Sequence, residues 1–210
     1  MGSHVTCIAI SRQQGSGGSY IGRAVAERLG CLYFDREMLR TVAEYLHEQE
    51  HSSAKDTPPG RSWFERLGAL LCQGSLEAGY IPPSPAMYDG HLVGIENRLI
   101  HEIADDHVAV IVGRGAAQML RGRQGVVTVF VHAPETWRVD RVQRVYNTSD
   151  QAQAWRMVQQ SDQERARFIR SVAKVDWADP AGYDLTIDTM TLGLEPAVDL
   201  LVQSVEAASA

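Results

Sequence analysis

The stretch Ile8-Ala9-Ile10-Ser11-Arg12-Gln13-Gln14-Gly15-Ser16-Gly17-Gly18-Ser19-Tyr20 decides how the rest of the chain is interpreted. It begins as an apolar strand, and the apolar residues at 21, 24, 25 and 29 have the spacing of one helix face. Residues 15–19, which lie between strand and helix, are three glycines and two serines. Because glycine has no Cβ, such a turn can bring its backbone close to a ligand. Its N–H groups and the positive end of the helix would then bind an anion, so the stretch predicts a phosphate-binding loop. The alternative is a plain strand–helix turn without a ligand.

Two glycine motifs fit this loop in part. In the P-loop pattern Gly-x-x-x-x-Gly-Lys-Ser/Thr, Gly17 and Ser19 match the last glycine and the hydroxyl residue. Arg12 stands at the position of the first glycine, and Gly18 stands at the position of the lysine. The dinucleotide pattern Gly-x-Gly-x-x-Gly can also be drawn, but it fails at its third glycine. The loop therefore resembles an anion cradle that has lost its usual lysine.

Length and composition exclude several classes of protein. With 210 residues, 44% hydrophobic and 22% charged, the chain is expected to form one domain, or one domain that carries a subdomain. Its net charge of −6 disfavours binding to nucleic acid. No apolar run approaches membrane-spanning length, the N-terminus lacks a signal-peptide shape, and the three cysteines have no metal-binding spacing. These features predict a cytoplasmic protein with no membrane or nucleic-acid partner, either a monomer or a homodimer.

Arginine dominates the basic residues. Among the 20 basic residues only Lys55 and Lys174 are lysines, and neither is close to the glycine loop in sequence. Between residues 134 and 174 the eight basic residues exceed the five acidic ones, although the whole chain is acidic. Since arginine suits bidentate contacts with phosphate, this segment is a candidate for phosphate binding. The alternative is a solvated helix face.

Strands alternate with helices along the chain, which indicates an α/β fold with a parallel sheet. Five strands are predicted, near residues 5–10, 31–34, 108–112, 126–132 and 185–188. Helices are predicted at 36–47, 62–71, 91–105, 116–120, 135–146, 151–160, 162–174 and in the last segment. Together they give a core of residues 5–47, 94–135 and 183–207, an insertion at 48–93 and a lid-like helical region at 136–175.

Charged residues follow two of the predicted strands. Asp35 comes directly after the second strand, where it can cap the next helix or reach towards a phosphate-bound metal. Arg36 and Arg40 lie four residues apart on that helix, so they share one face or pair with nearby glutamates. Arg114 follows the uninterrupted apolar strand at 108–112. Because ligands of parallel sheets gather at the carboxyl ends of strands, Arg114 is expected to meet the ligand of the glycine loop.

Five groups of residues, in order along the chain, resemble the cytidylate-kinase-like branch of the P-loop nucleoside monophosphate kinases. They are Ile8-Ala9-Ile10-Ser11-Arg12 with Gly15-Ser16-Gly17-Gly18; Tyr33-Phe34-Asp35-Arg36; Val112-Gly113-Arg114-Gly115; Val131-His132-Ala133-Pro134 with Arg138 and Arg141; and Asp162-Gln163-Glu164-Arg165 with Tyr183-Asp184-Leu185 and Asp188-Thr189. Relative to authentic cytidylate kinases, Gly18 replaces the P-loop lysine and Gly115 replaces an aspartate.

This resemblance implies a P-loop NTPase-type three-layer α/β/α fold with a five-stranded parallel sheet, a helical acceptor-binding insertion and a lid. It implies ATP-dependent transfer of a phosphoryl group, with Mg²⁺, to a nucleoside monophosphate or similar small phosphate-bearing acceptor. The implied donor-binding residues are Gly15, Ser16, Gly17, Gly18, Ser19, Tyr20 and Arg141, with Ser19 as the Mg²⁺ contact. The implied acceptor-binding residues are Arg36, Arg40 and Arg114. The implied catalytic residues are Arg165, Arg167, Asp35 and Arg12. The alternative is a non-catalytic nucleotide- or anion-binding module that keeps the phosphate cradle without the lysine.

Overall fold

A computed structural model describes the backbone of residues 5–51 and 90–209. The strands are β1 (Cys7–Arg12), β2 (Leu32–Phe34), β3 (Ala109–Val112), β4 (Val126–His132) and β5 (Leu185–Asp188). The α-helices are α1 (Gly18–Leu29), α2 (Arg36–His51), α3 (Gly90–Asp106), α4 (Ala116–Met119), α5 (Glu135–Val145), α6 (Gln151–Ala173), α7 (Thr189–Leu192) and α8 (Leu194–Ser209). A 3₁₀ turn covers Pro180–Gly182.

The five described strands form one parallel sheet in the order β2-β3-β1-β4-β5. This confirms the predicted five-stranded α/β fold. Strand β1 is central, with Ile10 beside Val112 of β3 on one side and Val129 of β4 on the other. The glycine loop that follows β1 therefore lies in the middle of the carboxyl edge of the sheet, between the residues that follow β3 and β4.

Helices cover both faces of the sheet because the central strands are apolar on both sides. On one face Cys7 and Ala9 pack with residues of α2, α3 and α4. On the other face Ile8 and Ile10 pack with residues of α1 and α8. The alternation of β1 between these two cores follows from the period of two in a strand. Among the described helices, none combines the length and apolarity that crossing a bilayer requires.

The predicted helical stretches 151–160 and 162–174, which follow each other directly in sequence, form the single continuous helix α6. Its first half buries Ala154 and Val158 against α5, and its second half buries Phe168 and Ile169 near β4. The polar residues between these contacts interrupt the apolar periodicity, but they contain no glycine or proline that would end a helix. Helix α6 therefore changes its packing partner along its length without a break.

Some predicted element boundaries differ from those in the structure. Helix α2 continues through His51, so residues 48–51, at the start of the predicted insertion, are helical. Cys7 is buried, and Cys31 is half-buried. The predicted helix at 62–71 and most of the predicted insertion at 48–93 lie outside the described residues.

Candidate active site

The glycine loop after β1 adopts backbone conformations that need glycine. Gly15 and Gly17 have φ values of +82° and +88°, in the left-handed region that other residues rarely adopt. A Cβ on Gly15 would lie 2.6 Å from the carbonyl oxygen of Arg138, and one on Gly17 would lie 2.4 Å from Leu194 Cδ2. The loop is thus packed closely between α5 and α8. Conformation requires glycine at both positions, and the backbone of Arg138 also leaves no space for a side chain at Gly15.

Side chains below the loop fix its shape. The hydroxyl of buried Ser16 donates to the carbonyl oxygens of Gln13 (2.9 Å) and Val131 (3.1 Å). The hydroxyl of Thr189 donates to the carbonyl oxygen of Ser16 at 2.8 Å. The Ser16 N–H also donates to the carbonyl oxygen of Gln13, at 3.3 Å. Ser16 therefore supports the loop from below and does not line the cavity, unlike the donor contact that the sequence predicted for it.

The backbone N–H groups at the start of α1 have no protein acceptor. Within the described part of the chain, the N–H groups of Gly15, Gly17, Gly18, Ser19 and Tyr20 make no hydrogen bond. The first intrahelical bond of α1 runs from Ile21 N–H to the carbonyl oxygen of Gly17 at 2.9 Å. A row of free donors at a helix N-terminus is the arrangement that binds phosphate.

These donors face a cavity of about 460 Å³. It brings together most of the residues that the sequence singled out: Arg12, Gly15, Gly17, Gly18, Ser19, Tyr20, Asp35, Arg36, Arg114, Arg141 and Arg165. Five arginines line the cavity, compared with three carboxylates, those of Asp35, Glu37 and Glu164. An excess of positive charge beside a row of N–H donors favours an anionic ligand.

Two of the candidate arginines do not line this cavity. Arg40 pairs with Glu44 on the same helix, with 2.7 Å between Nε and Oε1. Arg167 is exposed, and its Nε donates to the carbonyl oxygen of Gln163 at 3.4 Å. Because Arg165 and Arg167 are two residues apart on α6, they cannot share a helix face, and Arg165 is the one that faces the cavity.

Asp162 connects α5, α6 and the loop through both carboxylate oxygens. Its Oδ1 accepts the N–H of Gln14 at 2.7 Å and a hydrogen bond from Arg165 Nη1 at 3.2 Å. Its Oδ2 accepts from Nη1 of buried Arg138 at 2.6 Å. Arg138 also donates to the carbonyl oxygens of Ala133 and Gln14, both at 2.9 Å. The carboxylate therefore orients Arg165 and attaches α6 to the phosphate loop.

No motif in the sequence predicted that Gln14 contacts Arg165. Its side-chain oxygen accepts a hydrogen bond from Arg165 Nη2 at 2.8 Å, and its Nε2 donates to the hydroxyl of Tyr146 at 3.2 Å. Arg165 is thus held from two sides, by Gln14 and by Asp162. Burial, with repulsion from Arg12, lowers the pKa of Arg165 to about 9. An anion in the cavity would oppose this shift, because it stabilises the charged form.

Arg114 lines the cavity from the end of β3, as the sequence predicted, but it also belongs to a buried ion pair. Its Nη2 bonds to the carboxylate of Glu96 on α3, and both side chains are almost fully buried. Its guanidinium lies 4.7 Å from the centre of the Phe168 ring. Its Nε is buried without a hydrogen-bond partner among the described residues. No sequence motif pointed to Glu96, which lies 18 residues before Arg114 on another element.

Asp35 serves as the cap that the sequence offered as one of its two roles. Its Oδ1 accepts the N–H groups of Glu37 and Met38, both at 3.1 Å, at the start of α2. It also lines the cavity, next to Arg36. Arg36 donates from Nε and Nη2 to Oε1 of Glu37, at 3.2 and 3.1 Å.

The far side of the loop carries Tyr20 and Arg141. The hydroxyl of Tyr20 bonds to the carboxylate of Glu195 on α8. Arg141 extends from α5, and its Cζ would lie 3.7 Å from a Cβ on Gly17. Burial lowers the pKa of Arg141. Both residues line the cavity on the side of β4, opposite Arg36 and Arg114.

The fold and this site define a P-loop kinase type of α/β protein, in which a glycine loop after the central strand faces a cationic cavity. The chain belongs to the cytidylate kinase-like family, since the model of that family matches residues 7–191. A comparison with curated proteins found no match.

Solved structures with the same fold cover nearly the whole chain. An uncharacterized protein from Eubacterium ventriosum is 19% identical with a TM-score of 0.70, covering 96% of this chain and 98% of that one. TT1252 from Thermus thermophilus is 17% identical with a TM-score of 0.54, covering 99% of each chain. Shikimate kinase from Bacteroides thetaiotaomicron is 16% identical with a TM-score of 0.51, covering 96% and 98%. At these identities the likeness concerns the fold alone.

Proposed function

We propose that this protein transfers a phosphoryl group from ATP to a nucleoside monophosphate or a similar small phosphate-bearing acceptor. The observation that carries the proposal is the convergence of free N–H donors and arginines from five separate segments on one cavity. Phosphoryl transfer needs little covalent chemistry from the protein. It needs the donor and acceptor oxygens held in line and the charge on the phosphoryl oxygens neutralised. A preorganised set of donors and cations supplies both requirements.

The donor binds at the glycine loop, on the side of β4. The N–H groups at Gly15 and at residues 17–20 would contact its phosphates, and Arg141 would lie beside them. Ser19 is exposed at the first turn of α1, so its hydroxyl can contact a phosphate-bound Mg²⁺. Mg²⁺ commonly takes one or two protein oxygens and fills its other positions with phosphate and water. That habit fits the described residues, which hold no cluster of three or more metal-binding side chains. When bound, the ion would neutralise charge on the phosphate oxygens.

The acceptor binds on the other side of the loop, near β2 and β3. Arg36 and Arg114 line this part of the cavity and would contact the acceptor phosphate. Arg114 offers its unpartnered Nε while Glu96 holds the rest of its guanidinium in place. Asp35 offers the carboxylate oxygen that its helix cap does not use. No described residue has the geometry of a dedicated general base, and loose phosphoryl-transfer transition states make small demands on one.

Arg165 acts on the transferring group. It is fixed by Asp162 and Gln14, and it extends from α6 over the loop. A cation held in this way stabilises charge that develops in the transition state, so it affects turnover more than ground-state binding.

The experiment measures ADP formation from ATP and Mg²⁺ with a panel of nucleoside monophosphates and other small phosphate esters. We expect turnover with at least one acceptor. Arg165→Ala should lower the single-turnover rate by about 100-fold with little change in ATP affinity. Arg167→Ala is the matched control, because it removes an exposed arginine from the same helix, and it should leave both quantities unchanged. ATP binding without transfer to any acceptor would favour the non-catalytic binding module. Equal rates for Arg165→Ala and the native protein would exclude Arg165 from catalysis.

A further inference from the structure

Gly18 is glycine because another side chain occupies its space. It is the first residue of α1, and its φ is not in the left-handed region, so its backbone conformation does not require glycine. A Cβ at this position would lie 2.5 Å from Cβ and 2.9 Å from Cγ of Arg12. Real Cβ atoms do not approach other atoms so closely. A lysine at position 18 would therefore collide with the side-chain stem of Arg12.

The rest of the Arg12 side chain runs across the cavity edge towards β3. A Cβ on Gly113, directly after β3, would lie 1.9 Å from Nη1 and 3.0 Å from Cζ of Arg12. The stem of Arg12 thus lies over Gly18 and its guanidinium lies against Gly113. It lines the same cavity as the loop donors.

Among the described residues, no carboxylate forms a contact ion pair with Arg12, although Asp35 in the same cavity attracts its charge from a greater distance. Its Nε is buried without a hydrogen-bond partner. By contrast, carboxylates pair with Arg36, Arg114 and Arg165 in the same cavity. Burial lowers the pKa of Arg12, since its charged form has lost water without gaining an ion pair. Arg12 is half-buried, and its Nε is a buried donor without a partner. A cation with such an unsatisfied donor, beside free backbone N–H groups, is a place for an anion.

We propose that Arg12 supplies, from the end of β1, the positive charge that a lysine at position 18 supplies in standard P-loops. The two departures from the P-loop pattern, at positions 12 and 18, are then one exchange. The positive charge is carried by Arg12 at the end of β1 and not by a lysine at the start of α1. Here glycine at position 18 makes room for the arginine stem. The inference rests on the proposed function, because it assigns Arg12 to the phosphates of the donor.

The test returns the positive charge from position 12 to position 18. The double variant Arg12→Gly/Gly18→Lys recreates the complete pattern Gly-x-x-x-x-Gly-Lys-Ser within this chain. Arg12→Gly alone should lower the single-turnover rate by about 100-fold and weaken ATP binding. Gly18→Lys alone should also be impaired, because its stem meets Arg12. The single-turnover rate of the double variant should be about tenfold or more above that of Arg12→Gly. Two changes that are each harmful alone would then compensate each other.

A second double variant, Arg12→Gly/Gly18→Met, is the matched control. Methionine fills the space of the lysine stem without its charge, so this variant should remain as impaired as Arg12→Gly. Equal recovery with methionine would show that packing, not charge, had been restored. Native-like activity of Arg12→Gly, or of Gly18→Lys alone, would also overturn the proposal. Urea unfolding of each variant identifies any that do not fold, and Arg12→Met then serves as the charge-removal variant, because it retains the stem.

ATP affinity, measured by calorimetry in the same variants, keeps this inference separate from the proposed function. If the native protein binds ATP but transfers no phosphoryl group, the proposed activity is wrong. The ATP affinities of the variants still test whether Arg12 replaces the lysine. In that case affinity should fall in Arg12→Gly and return in the lysine double variant but not in the methionine one. Unchanged ATP affinity across all variants would overturn the assignment of Arg12, whatever the activity of the native protein.

Discussion

Removal of the Asp162 carboxylate should test how the phosphate loop is attached to α6. In Asp162→Ala the N–H of Gln14 loses its acceptor at 2.7 Å, and Arg138 loses an ion-pair contact at 2.6 Å. The exposed fraction of the side chain is 6% for Arg138 and 16% for Asp162, so water compensates little for the loss. Breaking a buried ion pair by removing one partner costs about 3–5 kcal/mol.

The lower end of that range applies here. Arg138 keeps its hydrogen bonds to two carbonyl oxygens, and the side chain of Arg165 is 23% exposed. We therefore expect Asp162→Ala to lower the free energy of unfolding by about 3 kcal/mol. For a chain of this size that corresponds to a decrease in Tm of roughly 6–12 °C. The loss should be accompanied by weaker ATP binding, because the loop and Arg165 are held by the same carboxylate.

Urea unfolding monitored by circular dichroism measures the change. Asp150→Ala is the matched control: it removes the same side chain from the N-cap of the same helix, where Asp150 accepts the N–H of Ala152 at 2.9 Å. Loss of an exposed cap costs about 1 kcal/mol. If Asp162→Ala costs no more than Asp150→Ala, the carboxylate does not stabilise the loop as argued here.

Two further predictions concern the acceptor side and the region that contains α5 and α6. Arg114→Ala should weaken binding of the acceptor by about 1.5–3 kcal/mol, the range for a hydrogen bond to a charged group. It should be measured by calorimetry in the background of Glu96→Gln, which avoids leaving a buried unpaired carboxylate. An affinity like that of Glu96→Gln alone, for every acceptor tested, would make Arg114 structural. Hydrogen exchange across residues 135–175 should slow when donor and acceptor bind together, because the arginines of α5 and α6 would then contact a ligand. Identical exchange with and without both nucleotides would argue against closure of this region.

Local patterns in the sequence predicted the secondary structure of the sheet core and its type of site. Apolar runs located all five described strands to within two residues at each end. The signal was clearest for β3, which is buried along its whole length and contains no polar residue. Glycine density between a strand and a helix located the loop that lines the cavity, because positive φ and close packing both exclude side chains. Asp162 lies three residues before Arg165, a spacing that places both on one helix face, and the structure pairs them.

The tertiary structure decided which of the arginines share a site. Arg165 and Arg167 look alike in sequence, but only the first faces the cavity, and this depends on how α6 packs against α5 and β4. The contacts of Arg114 with Glu96, and of Arg165 with Gln14, join residues from separate elements, so no local period or motif could reveal them. The place of Arg12 over Gly18 and against Gly113 likewise depends on β3 lying next to β1 in the sheet. Periodicity and spacing depend on neighbours along the chain, whereas the position of a charge at this site depends on which strands and helices pack together.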